Sequence, residues 1–320
     1  ALLSYYGQGE LTLFDTVRFT GGLRWEDNDQ RVETFKITGK KRESVVSTLK
    51  QLDMLPEASA TWFISENQQL RLGYSETISR PDFRELSPAP FTDPSTNLET
   101  TGNPDLKQTS ILNYDVRWEY YLSNTENVSA GFFWKDLTTP IEKVFVAGTA
   151  GLLTYQNTEF ANIYGFEFEF LKELGFLTPE LENFYIGGNY TWSESTVELT
   201  EENVEAQTAN SGRGLQGHSP HVFNIQIGYD NSQWGTRATL LYNVAAERIV
   251  SVGLLGAPDK YEQPFNQLDF VASQQVNDWF SIKLRARNLW DDTVKVTQGA
   301  EITRSYRRGR DFSLSFNINF

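Results

Sequence analysis

The 320-residue chain carries a formal net charge of -14, contains no cysteine and is 14% aromatic, with Phe 22, Tyr 14 and Trp 8. The missing cysteines exclude a disulfide scaffold, a thiolate nucleophile and a cysteine-based metal site. The acidic balance argues against nucleic acid, whose binders carry basic patches, and no apolar run approaches the ~20 residues of a membrane helix.

The chain opens at Ala1-Leu2-Leu3-Ser4-Tyr5-Tyr6, already in mid-pattern and without the charged and apolar regions of a signal peptide. The expectation is a mature form or a fragment, with the fragment favoured by the strand count below. Large apolar residues then recur at every second position. Val17, Phe19, Gly21, Leu23 and Trp25 interleave with Arg18, Thr20, Gly22 and Arg24. Leu112, Tyr114, Val116, Trp118 and Tyr120 interleave with Asn113, Asp115, Arg117 and Glu119. Tyr164, Phe166, Phe168 and Phe170 bracket Glu167 and Glu169, and Phe280, Ile282, Leu284 and Ala286 bracket Lys283 and Arg285, with Arg287 beyond. The chain ends on the strictest run, Phe312, Leu314, Phe316, Ile318 and Phe320, separated by Ser313, Ser315, Asn317 and Asn319. Period-two alternation makes strands with one oily and one polar face. A sandwich turns the oily face inward, whereas a wide membrane barrel turns it to lipid and lines an aqueous lumen with the charges. The mean hydropathy of -0.45 fits the barrel, in which the two faces cancel.

The connections separate these alternatives. Short polar turns fall at Phe14-Asp15-Thr16, Ser65-Glu66-Asn67-Gln68, Ser123-Asn124-Thr125-Glu126, Asp230-Asn231-Ser232-Gln233 and Asn277-Asp278. Long polar segments fall between them, at roughly 27–54, 79–107, 138–158, 196–219, 248–263 and 291–308. Strict alternation of short and long puts all tight turns at one rim and all long loops at the other, as in outer-membrane barrels and unlike sandwiches. The reading is an all-β, antiparallel transmembrane β-barrel of about 13 strands, with Phe320 at the periplasmic rim. Thirteen is odd, whereas bacterial single-chain barrels have even numbers. The expectation is therefore the closing part of a larger barrel spanning residues 1–320.

Several stretches resemble a known family. Arg71-Leu72-Gly73-Tyr74-Ser75-Glu76-Thr77-Ile78-Ser79-Arg80-Pro81-Asp82-Phe83-Arg84-Glu85-Leu86 is similar to the "R-x-G-Y-S-x-T-x-x-R-P-x-F-x-x-L" stretch of TonB-dependent outer-membrane receptors. Gly102-Asn103-Pro104-Asp105-Leu106-Lys107 resembles the family's "G-N-P-x-L-x-P", with Lys107-Gln108 where a proline often stands. Gly22-Leu23-Arg24-Trp25-Glu26, Asn288-Leu289-Trp290-Asp291 and Gly309-Arg310 complete the set. The motif style is closest to the proteobacterial subfamily that includes carbohydrate importers. The resemblance implies a 22-stranded barrel in the bacterial outer membrane, of which this chain is the carboxy-terminal portion without its plug. It implies import of a scarce solute, a carbohydrate or an iron chelate, coupled through the missing plug to the TonB energy complex, with no enzyme activity and no cofactor. A passive porin-like or structural barrel is the alternative, and a soluble β-sandwich with carbohydrate-binding loops a third.

Candidate solute-binding residues are loop residues, since a receptor needs donors and acceptors at an aqueous mouth. Arg80 and Arg84 frame the loop 79–107, which holds Pro81, Pro88, Pro90 and Pro94, and Asn103 lies at its exit. Pairing of the two arginines with Asp82, Glu85 or Asp93 to shape the loop is the competing reading. Arg304, Arg307, Arg308 and Arg310 crowd the last loop, either as a basic rim for an anionic solute or lipopolysaccharide phosphate or as local charge balance. Glu26-Asp27-Asn28-Asp29 and Glu201-Glu202 lack the spacing of a calcium loop and read as solvated tips. His218 and His221 are separated by Pro220 and are not expected to hold a metal. The charges between the apolar positions have both signs and read as an ion-pair lattice along the wall. No G-x-S-x-G elbow appears, and no catalytic residue is assigned. In the last strand Phe312, Leu314, Phe316, Ile318 and Phe320 resemble the signal read by the outer-membrane insertion machinery.

Overall fold

Aromatic and β-branched residues at alternate positions fit a pleated, half-buried surface, and the chain folds accordingly. A computed structural model describes residues 1–35, 44–93, 98–146, 151–201, 210 and 212–318. β1 (Leu2–Leu13) turns into β2 (Val17–Phe35), and β3 (Ser44–Ser65) into β4 (Gln68–Ser79). The next connection holds one helical turn, α1 (Phe83–Leu86), and the short strands β5 (Phe91–Asp93) and β6 (Leu98–Thr100). β7 (Thr109–Tyr121) and β8 (Asn127–Thr138) follow, then the loop strands β9 (Ile141–Phe145) and β10 (Leu152–Asn157). β11 (Phe160–Glu173) connects to β12 (Phe184–Glu198), and β13 (His221–Asn231) to β14 (Thr236–Ala245). The loop strands β15 (Arg248–Ser251) and β16 (Lys260–Glu262) precede β17 (Phe265–Asn277) and β18 (Phe280–Arg287). A last loop pair, β19 (Thr293–Gln298) and β20 (Glu301–Arg307), leads to β21 (Asp311–Ile318).

Thirteen strands join in one antiparallel sheet, in the order β1-β2-β3-β4-β7-β8-β11-β12-β13-β14-β17-β18-β21. This is the wall that the alternation predicts. Its register separates two chemistries. Trp62, Leu70, Trp118, Ala130, Phe168, Tyr190, Phe223 and Val244 stand opposite one another across eight strands. One residue along each strand, Gln69, Glu119, Ser129, Glu169, Asn189, Asn224 and Asn243 form the row on the other face, continued by Gln267. The apolar face is bare: Trp62 is 51% exposed and Phe166 55%. Fully buried apolar side chains such as Leu86, Val144 and Val252 belong instead to the loops. Oily residues outside and a polar interior are the inversion that lipid demands. No helix among the described residues is long and apolar enough to cross a membrane.

The tight turns carry the interfacial aromatics. Phe14 and Asp15 have positive φ, 52° and 54°, and Thr16 N–H donates to Leu13 O at 3.1 Å. This left-handed turn joins the strands through three residues, Phe14 to Thr16, and leaves Phe14 92% exposed. Trp234 and Trp279 sit at two further turns of that rim. Towards the other rim, Tyr74, Tyr114, Trp134 and Tyr164 align on the apolar face. Three of their polar tips donate to carboxylates: Tyr74 to Glu76 (2.5 Å), Trp134 to Asp136 (2.7 Å) and Tyr164 to Glu194 (2.6 Å).

Two expectations are corrected. The polar segment 27–54 is mostly strand, because β2 runs on to Phe35 and β3 starts at Ser44, paired throughout. Glu26, Asp27, Asn28 and Asp29 are therefore strand residues and not a loop tip. A ten-residue link over 174–183, with a 3₁₀ turn at Pro179–Leu181, also occupies the tight-turn rim and is absent from the short turns that the sequence predicts. The long loops are structured as well. β5, β6, β10 and β9 make one four-stranded sheet, and β15, β16, β19 and β20 another. Phe320 and Glu202 lie outside the described residues.

Candidate functional site

The long loops interlock into a crown over the polar face of the wall. Glu26 and Asp53 face each other across β2 and β3, and directly opposed like charges destabilise a sheet. Arg80, at the exit of β4, lies between them and donates to Glu26 (2.7 Å) and to Asp53 (2.8 Å). Gln108 donates to the other Asp53 oxygen at 2.5 Å, and Gln30 Nε2 to Pro81 O at 2.8 Å. Among the described side chains Arg80 thus pairs with strand carboxylates and not with Asp82 or Glu85; the Asp93 side chain lies outside the description. The extension of β2 and β3 past the expected loop start is what brings those carboxylates beneath it. Beside the network the wall leaves a hollow of about 570 Å³, lined by Tyr6, Arg24, Glu26, Glu57, Thr77 and Arg80 among others.

The other candidates separate into shaping and facing groups. Asn103 is fully engaged: its amide donates to Tyr155 O (3.0 Å), its carbonyl accepts from Asp105 N–H (2.9 Å), and its own N–H donates to Glu85 O (2.6 Å). Its neighbour Gly102 has no room for a side chain, since a Cβ would lie 2.4–2.6 Å from three backbone carbonyls. Arg84 is exposed on α1 with its guanidinium over the Phe91 ring at 4.7 Å. Arg304 lies over Tyr306 at 5.6 Å, and Arg307, 68% exposed, approaches Asp291 at 3.6 Å. Arg308 covers Phe265 at 4.6 Å, and Arg310 Nε donates to Leu289 O at 2.9 Å. The structure does not bring Arg80, Arg84 and Asn103 together with Arg304 and Arg307; the two sets belong to different loops.

A buried clamp joins three loops, and sequence reasoning missed it. Glu142 on β9 receives both Arg213 nitrogens, at 3.0 and 2.6 Å, with the two side chains only 2% and 5% exposed. Gln216 N–H donates to the same carboxylate at 3.0 Å, and Gln216 Nε2 donates to Val250 O at 3.0 Å. Val144, Ile249 and Val252 pack beside it, covered by Leu199 and Tyr261. The partners lie 71 residues apart, so no local spacing announces them.

The two histidines take different partners. His221 meets the Tyr190 hydroxyl through Nδ1 at 2.8 Å. His218 sits between Ser193 Oγ (2.7 Å to Nε2) and Ser195 Oγ (2.8 Å to Nδ1), in a pocket that Glu247, Arg248 and Tyr261 also line. Burial pushes its pKa below the ordinary 6.5. The unfolded chain therefore protonates first as pH falls, and the stability this site contributes is complete above pH 6.5 and lost as pH drops through the lower folded value. Thermal unfolding of the full-length receptor between about pH 8 and about pH 5 is expected to show the loss, and His218→Gln to flatten it.

On the wall, Arg117 donates to Glu119 (3.1 Å), Ser129 (2.9 Å) and Glu169 (2.8 Å), and Arg71 reaches Glu119 at 3.1 Å. The polar face thus carries ion pairs across neighbouring strands. Among the described residues no group of three or more His, Cys, Asp or Glu is placed to hold a metal ion.

Sequence comparison matches residues 2–289 to the family described as TonB dependent receptor-like, beta-barrel. The chain belongs to the TonB-dependent receptor family. The whole chain also superposes on solved TonB-dependent receptors. It covers 44% of the ferric-catecholate import receptor Fiu from E. coli K12 (17% identity, TM-score 0.66). It covers 45% of the ferric yersiniabactin uptake receptor FyuA from Yersinia pestis (13%, TM-score 0.68) and 48% of the siderophore receptor PirA from Pseudomonas aeruginosa (14%, TM-score 0.62). In each case 100% of this chain is matched, so it spans about half the length of these receptors. No curated protein matches it significantly. As in the rest of the family, the barrel resides in the bacterial outer membrane; in such barrels the long loops lie outside and the tight turns in the periplasm.

Proposed function

We propose that this chain forms wall and outer mouth of an energised receptor that captures a scarce solute, an iron chelate or a carbohydrate, and passes it to the periplasm. The observation that carries the reading is the register: a continuous polar row crosses the interior face beneath a crown of interlocked loops. That gives an aqueous path below a shaped opening and requires no bond to be made or broken. Within the crown we assign solute contacts to Arg84 and Arg307, whose guanidiniums face water and donate equally to catecholate, carboxylate or sugar oxygens. Arg80 and Asn103 shape the loop that presents them, and Arg304 stiffens the last loop over Tyr306. Coupling to the TonB complex would run through a plug domain inside the wall. Lipopolysaccharide would meet the aromatic band, and the insertion machinery would read the carboxy-terminal sequence with Phe312, Leu314, Phe316, Ile318 and Phe320.

The test is a deletion of the receptor gene, followed by growth and uptake across ferric chelates and oligosaccharides as sole iron or carbon source. Loss of at least one solute, restored by the gene, is expected. Arg84→Ala with Arg307→Ala is expected to weaken its binding about tenfold, ~1.4 kcal/mol, without altering thermal stability. Unchanged uptake across the whole panel would sink the reading.

A further inference from the structure

The interior face changes chemistry along the sheet. Its middle strands form a neutral arc between two charged ones, the second carrying Asp269, Lys283 and Arg285 on β17 and β18. Over β1–β11 it carries formal charge, with ion pairs such as Arg24–Glu26 and Arg117–Glu169. Across β12, β13 and β14 the same face turns neutral. Between the loops and the Asp230–Arg237 pair at the periplasmic rim, its side chains are amides, hydroxyls and aliphatic groups. Asn189, Asn224 and Asn243 stand side by side at one level. Asn243 Nδ2 donates to Asn224 Oδ1 at 2.5 Å, and Asn224 Nδ2 to Asn189 Oδ1 at 2.7 Å. The ladder has a direction, leaving N–H donors of Asn189 at one end and the carbonyl oxygen of Asn243 at the other. They border a hollow of about 510 Å³, within the range of small-molecule sites. Its floor is Leu171, Leu241 and Gly187, where a Cβ would lie 2.9 Å from Leu171.

We infer that this amide arc is a binding subsite for a neutral, hydroxyl-rich solute. The inference rests on the import reading and chooses within it. A hydroxyl both donates and accepts, so one molecule satisfies both ends of the ladder while its C–H faces rest on the leucines. An anion finds no cation on these three strands above the periplasmic rim, and the hollow is flanked by two carboxylates, Glu169 and Asp269. A cation gains little either. Glu169 already accepts from Arg117 (2.8 Å), and Asp269 from Gln267 (2.9 Å) and from the Asn288 N–H (2.8 Å).

The experiment is calorimetric titration of the full-length receptor in detergent with maltohexaose, xylohexaose, chitohexaose and a ferric tris-catecholate. At least one neutral hexamer is expected to bind. Asn224→Ala, and the isosteric Asn224→Asp, should each weaken it about tenfold while leaving any chelate affinity and the melting temperature unchanged. Three outcomes overturn the subsite: no hexamer binds; binding ignores both substitutions; or Asn224→Ala lowers the melting temperature with binding intact, which assigns the arc to the receptor's own plug. Chelate uptake by cells without hexamer binding refutes the subsite alone, whereas absence of any solute uptake refutes the import reading.

Discussion

Arg213→Ala is expected to loosen three extracellular loops at once. The guanidinium and Glu142 are almost wholly buried and joined by two bonds, so removing it strands a carboxylate that, among the described residues, only the Gln216 N–H still meets. Breaking such a pair from one side costs about 3–5 kcal/mol. That cost falls on the crown and not on the wall, whose ladders are independent of it. Hydrogen exchange on the full-length receptor should show loss of protection together in peptides covering 138–146, 212–220 and 248–253, with β7, β8 and β11 unaffected. Arg213→Met combined with Glu142→Leu, which removes both charges, should restore most of the protection. If only the 212–220 peptide responds, the loops are not one unit.

Arg80→Ala is expected to be nearly as damaging, and the same variant separates anchoring from solute binding. Arg80 is the cation shared by Glu26 and Asp53, with the three side chains 17%, 8% and 12% exposed. Without it two carboxylates face each other across β2 and β3 with only Arg24, at 2.5 Å from Glu26, and Gln108 left to meet them. A loss of about 3 kcal/mol follows, at the lower end for a buried pair because Arg24 and Gln108 remain. It would be read as a fall in the urea midpoint of the receptor in lipid vesicles. Arg80→Ala with Asp53→Asn should recover part of it. An unchanged midpoint with weakened solute binding would make Arg80 a solute contact and remove its role as anchor.

The wall was legible in the sequence because its rule is local. Strand periodicity at Val17–Trp25, Leu112–Tyr120 and Phe312–Ile318 depends only on neighbours two apart, and the register then follows from the tight turns. The hairpin of β2 and β3 is not announced because its upper half breaks the alternation, with Asp27, Asp29, Arg31 and Glu33 at the positions that continue the Trp25 face, so Glu26 to Gln30 look like a loop. The link over 174–183 is not announced because Phe176 and Leu177 are apolar where tight turns are usually polar. Of the site, Arg80 could be singled out, but not its partners, which depend on how far β2 and β3 extend. Glu142 with Arg213, and the asparagine ladder, are products of register between distant segments, and single residue types in a polar stretch carry no sign of them.

Energised import is decided by accumulation of radiolabelled ferric catecholate and oligosaccharide in cells with and without the receptor. The comparison is made in the presence and absence of the TonB energy complex. At least one of these solutes is expected to accumulate only when both receptor and complex are present. Entry that needs the receptor but ignores the complex would make the barrel a passive pore and contradict energised import.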